Sequence, residues 1–213
     1  MKNHLFLGAL AILLLASCGT SKDAKSGWVS IFDGKSLNGW KLNENPETFR
    51  IEDGAIVANG ERSHLFYDGP VADHNFKNFE FKAQVMTKPN SNAGIYFHTA
   101  YQPEGWPSKG YEVQVNNSHS DWRRTGGLYA IDDVRDPPAK DNEWFTQHII
   151  VNGKHVQVMI DGKTVVDYTE PDNPDRPDGM KNRLISSGTF ALQGHDAGST
   201  VYFKDIMVKV LPD

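Results

Sequence analysis

Hydrophobic and polar positions alternate with a period of two through most of the chain from about residue 49 onward. Phe79, Phe81, Ala83 and Val85 alternate with Glu80, Lys82, Gln84 and Met86. Ile95, Phe97 and Thr99 flank Tyr96 and His98, and Tyr111, Val113 and Val115 flank Glu112 and Gln114, with Asn116 next in the polar series. Such alternation is the mark of strands with one face in a core. The dipeptides Asp53-Gly54, Asn152-Gly153 and Asp161-Gly162 each separate two apolar runs, which predicts three tight hairpins. A closing strand carries Val201, Phe203, Ile206, Val208 and Val210, and the slip in its alternation predicts a bulge near Asp205. No segment reads as a helix of three turns. The expectation is all-β: a two-sheet antiparallel jelly-roll sandwich of the concanavalin type.

In a sandwich one face of each sheet packs and the other looks outward. Strand parity puts Tyr96, His98, Glu112, Gln114, Asn116, Gln193 and His195 on outward positions, and Tyr129 follows Gly126-Gly127 nearby in sequence. A merely solvated sheet face favours Thr, Lys, Glu and Arg. This set instead combines aromatic rings with amides and a carboxylate, which stack on and hydrogen-bond a polyol. A carbohydrate groove is therefore the expectation.

The chain ends change the picture further. An apolar run from Leu5 to Ala16 follows Lys2 and is too short to span a bilayer, so residues 1–17 read as an export signal. Leu15-Ala16-Ser17-Cys18 resembles a lipobox, which predicts Cys18 as a lipidated N-terminus and a place in the bacterial envelope, periplasmic or cell-surface. Residues 18–27 read as a tether and 28–213 as one domain. Cys18 is the only cysteine, so no internal disulfide forms. The net charge of −5 argues against nucleic acid as a partner. His98, Glu112 and His195 are candidate ligands for a divalent metal, without the short spacings that mark metal sites; the sequence requires no cofactor. Trp106 and Trp122 are candidate stacking platforms, whereas Trp144, at a strand start, is expected in the core.

The stretches Gly27–Lys41, Asn92–His98, Gly110–Val115, Thr125–Ala130, Glu143–Phe145, Val151–Gly162 and Leu192–Asp196 together resemble the bacterial 3-keto-disaccharide hydrolase family. Ala93, Phe145, Gly194 and Asp196 depart from residues common in it. The resemblance implies a lipoprotein acting on oxidised glycosides. Ordinary glycosidases need two carboxylates about 5 to 9 Å apart, but Glu112, Gln114 and Asn116 supply one carboxylate and two amides. A 3-keto sugar needs less, because its ketone acidifies the hydrogen on carbon two. One base then starts an elimination that expels the anomeric substituent, and water adds back. Glu112 is the first candidate for that base and His195 the second, otherwise serving as the acid. Tyr96, His98, Gln114, Asn116, Tyr129 and Gln193 are the expected substrate contacts. The alternative is a non-catalytic carbohydrate-binding domain using the same face.

Overall fold

The structure is a computed structural model that describes residues 27–213. The export signal, Cys18 and all but the last residue of the tether lie outside the described residues.

Among the described residues fifteen strands form two sheets, and every pairing is antiparallel. The first sheet runs β13 (Lys163–Thr169), β12 (His155–Ile160), β11 (Phe145–Asn152), β6 (Phe79–Thr87), β15 (Val201–Val210), β4 (Ala55–Ala58) and β3 (Phe49–Glu52). The short β1 (Val29–Ser30) also pairs with β15. The second sheet runs β10 (Asp132–Val134), β9 (Arg124–Leu128), β8 (Tyr111–Val115), β7 (Ala93–Thr99), β14 (Thr189–Gly194), β5 (Ser63–Tyr67) and β2 (Trp40–Leu42). Only two single-turn 3-10 segments, Pro46–Thr48 and Val71–His74, interrupt the β structure among the described residues.

The three predicted hairpins form. Asp53-Gly54 and Asp161-Gly162 hold left-handed φ values of 48° and 78° at both central positions, as a two-residue turn with the right twist requires. Asn152 pairs with His155 around Gly153. The register of β15 slips between Lys204 and Met207, with Asp205 at φ 49°, which is the predicted bulge.

The core fills the space between the sheets. Phe76, Phe79, Phe81 and Phe190 form one aromatic group, with Phe190 centroids 4.5, 4.9 and 4.7 Å from the other three. Ile95, Phe97, Tyr111, Val113, Val115 and Leu192 face it from the second sheet, as parity predicts. Trp144 is not core: its ring is 38% exposed, under the Lys204 ammonium at 4.0 Å.

The outer face of the second sheet is not open to solvent. Strands β5, β7, β8 and β14 are buried on both faces. On their outer face Phe66, Tyr96 and Ala191 make a second small apolar cluster. Residues of the segments joining β7 to β8 and β13 to β14 stand over this face, so it becomes a cavity floor instead of an open surface.

Candidate active site

The register of the second sheet builds the floor. Tyr96 on β7 pairs directly with Glu112 on β8 and with Ala191 on β14, and Gln193 on β14 pairs with His64 on β5. The Tyr96 hydroxyl donates to Oε2 of Glu112 at 2.8 Å, and Nε2 of Gln193 donates to its Oε1 at 2.9 Å. Beside them Nε2 of Gln114 donates to Oδ1 of Asn92 at 2.7 Å. The side-chain carbonyl oxygens of Gln114 and Gln193 are buried and have no partner. Buried acceptors of this kind are costly to leave unpaired.

Walls and rim come from loops and strand ends. Trp106, Pro107 and Ser108 enter from the β7–β8 segment, Gly179, Met180 and Arg183 from the β13–β14 segment, Tyr129 from beyond β9, and His195 from the end of β14. Together they enclose about 380 Å³, a volume in the usual range for a small-molecule site. Trp106 is 43% exposed, and its ring lies 5.2 Å from that of His195 and 5.6 Å from that of His64. Arg183 places a guanidinium nitrogen 3.5 Å from Oε2 of Glu112, and its guanidinium carbon lies 5.2 Å from the Tyr96 ring centroid. A buried cluster fixes this Arg183 segment. Arg176 donates to the Arg183 carbonyl at 2.7 Å, and it also contacts Glu170, Tyr168 and the Tyr111 hydroxyl.

Among the described residues Glu112 is the only carboxylate lining the cavity, and it is 5% exposed. Burial pushes its pKa above the ordinary glutamate value, although Arg183, Tyr96, Gln193 and His195 all pull the other way. Burial and the neighbouring carboxylate raise the Tyr96 hydroxyl well above its usual range, so it stays a neutral donor. Nδ1 of His195 contacts Oδ2 of Asp196 at 2.6 Å. Burial also drives His64, whose two ring nitrogens lack partners, down to about 3, so it is neutral.

Six of the eight residues expected to contact substrate or catalyse share this cavity: Tyr96, Glu112, Gln114, Tyr129, Gln193 and His195. His98 and Asn116 do not line it. At His98 the pairing of β7 with β14 shifts register, and the residue takes φ 54° in a bulge. Its ring turns against Phe79 and Phe97, its Nδ1 accepts from the Ser186 backbone N–H, and its Nε2 donates to the Lys77 carbonyl. Gly110, at φ 79°, makes room there: a Cβ would stand 2.2 Å from the Phe97 carbonyl oxygen. Asn116 spends its amide on a loop, donating to the carbonyls of Asp121 and Arg123 and accepting from His119 N–H and Arg124. The His98–Glu112–His195 ligand set is therefore not assembled. Among the described residues no group of three or more His, Cys, Asp or Glu side chains is placed to hold a metal ion. Sequence reasoning missed Arg183, Asn92 and the buried His64; none sits in an alternation that flags it.

The comparisons with known proteins agree with this architecture. A segment of 114 residues is 31% identical to a 3-keto-disaccharide hydrolase of Bacteroides thetaiotaomicron, covering 45% of this chain and 39% of that relative's length. Two provisionally assigned glycosyl hydrolases of Parabacteroides distasonis share the fold. One has TM-score 0.76 and 22% identity, over 91% of this chain and 98% of its own; the other has 0.67 and 24%, over 86% and 99%. A carbohydrate binding module from Bacillus subtilis shares it at TM-score 0.57 and 13% identity, over 80% and 95%. The family described as the 3-keto-alpha-glucoside-1,2-lyase-like domain matches residues 27–209, and the chain belongs to that family.

Proposed function

We propose that the protein cleaves 3-keto-glycosides by elimination across carbons one and two followed by hydration, a net 3-keto-disaccharide hydrolysis. The observation that carries this reading is Glu112: one buried carboxylate, alone among the cavity residues, with its pKa raised by burial. A paired-carboxylate hydrolysis needs a second carboxylate, and none lines the cavity among the described residues. A proton beside a ketone needs one base, and a carboxylate raised toward neutrality suits that task.

Glu112 takes the proton from carbon two. The electron pair spreads onto the ketone oxygen, where the Arg183 guanidinium supplies positive charge close to Glu112. Collapse of the enolate forms the double bond between carbons one and two and expels the anomeric oxygen, which His195 protonates. Water then adds to carbon one while carbon two regains a proton. The Gln114 and Gln193 side chains form the polar floor under the sugar, and the open Trp106 ring covers an apolar sugar face.

The relative's name and the family description support the substrate class. The same polar floor and exposed tryptophan also suit a carbohydrate-binding domain without catalysis, and turnover separates the two readings. Glu112→Gln keeps the shape and removes the base. Turnover of a 3-keto-disaccharide is expected to fall about a hundredfold or more with binding retained; an unchanged rate at saturation sinks the assignment. Lipidation at Cys18, and with it anchoring in the envelope, belongs to the same proposal. It requires that fatty-acid labelling be lost in Cys18→Ser.

A further inference from the structure

Beyond the end of β14 no strand ladder holds His195, yet its ring is fixed. The residue that fixes it is its neighbour. Asp196 folds back in a turn whose Oδ1 accepts the Gly198 N–H at 2.8 Å, and the Ser199 N–H closes on the Asp196 carbonyl at 3.1 Å. The turn aims the other oxygen, Oδ2, at Nδ1 of His195 at 2.6 Å, and the Ser199 hydroxyl reaches the same oxygen at 3.1 Å. Ser199 has no freedom in this. Its Oγ accepts the Asn92 backbone N–H at 2.9 Å, so its own proton is the one that goes to Asp196. Asn92 in turn holds Gln114 of the floor. A continuous chain therefore runs from the floor through Asn92, Ser199 and Asp196 to His195.

We propose that Asp196 is the positioning residue of His195: it fixes the imidazole with its proton on Nδ1 and presents Nε2 to the substrate. Burial raises the Asp196 carboxyl, but hydrogen bonds from His195, Ser199 and Gly198 outweigh it and hold the group below the usual aspartate value. It is thus a fixed anion beside the ring. An anion on Nδ1 selects one tautomer and fixes the orientation of the ring. The ring is also confined sideways, by Trp106 at 5.2 Å and His119 at 5.8 Å. The proton balance is simple. Nε2–H of the imidazolium goes to the departing anomeric oxygen, the ring is left neutral with its hydrogen on Nδ1, and Asp196 stays a carboxylate throughout.

This role rests on the elimination reading, but its first test does not. Long-range 15N–1H spectra of the full chain, with His195 assigned by the signal lost in His195→Gln, report which nitrogen carries the proton when the ring is neutral. The wild type is expected to show the Nδ1–H form, and Asp196→Asn a mixture or the Nε2–H form. A wild-type ring protonated mainly on Nε2, or a tautomer indifferent to Asp196→Asn, overturns the proposal without touching Glu112. That measurement needs no substrate, so it decides the geometry even if 3-keto-glycosides are not turned over. With a 3-keto-disaccharide, Asp196→Asn is expected to lower kcat at least about tenfold with KM little changed. A switched tautomer with kcat intact removes Asp196, and His195 with it, from the reaction.

Discussion

Gly94 and Glu112 are neighbours across β7 and β8 such that a Cβ on Gly94 would stand 2.5 Å from Oε1 of the carboxylate and 2.8 Å from its Cγ. The space that seats Glu112 in the floor is therefore the missing side chain of Gly94. The obstructing atoms belong to a side chain and not to backbone, so the fold can yield while the carboxylate cannot stay in place. Gly94→Ala is expected to lower kcat about tenfold or more and to cost only about 1 to 2 kcal/mol of stability. Turnover beside urea unfolding checks it. A large loss of stability with kcat preserved would mean that the backbone moved and Glu112 did not.

The Arg176–Glu170 pair is the second place where one change reaches the cavity. Both side chains are under 8% exposed and 3.3 Å apart, and Nε of Arg176 holds the Arg183 carbonyl. Removing one partner of a buried ion pair strands the other, at about 3 to 5 kcal/mol. Arg176→Met is expected to cost that much and to loosen the segment that carries Arg183. Adding Glu170→Gln should recover part of the loss, which a double-mutant cycle on unfolding free energies measures. Strictly additive losses would show that the pair is not coupled.

Much of this architecture is legible because alternation and hairpin dipeptides are local signals. The Glu112 and Gln114 face follows from the parity of Tyr111, Val113 and Val115, and the bulge at Asp205 follows from a broken alternation. His98 escaped because the bulge that turns it depends on a cross-strand register shift and on Gly110 pressing against the Phe97 carbonyl. The alternation through Thr99 carries no trace of that. Arg183 escaped for a different reason: its place beside Glu112 is set by a loop held through Arg176, which has no period to read. The roof over β5, β7, β8 and β14 was equally invisible, since composition does not say where a loop lies.

Two buried histidines predict how the fold responds to acid. Burial drives His64 down to about 3 and His98 to about 4, against an ordinary 6.5. Below pH 6.5 the unfolded chain takes up these protons and the folded chain does not, so stability is full above 6.5 and is lost as pH falls. Between pH 6.5 and 5 each histidine should cost about 2 kcal/mol. The variant His64→Phe with His98→Gln should show a correspondingly smaller difference between urea midpoints at pH 7 and pH 5. Equal pH dependence in wild type and variant would contradict this account.

Elimination and direct hydrolysis part at carbon two. The measurement is the fate of deuterium placed there in a 3-keto-disaccharide, followed by mass spectrometry of the released 3-keto sugar in ordinary water. Proton removal by Glu112 predicts a slowed reaction and a product from which the label has been lost to solvent, with both turnover and label loss falling in Glu112→Gln. Full cleavage with the deuterium retained at carbon two would contradict the account at its centre.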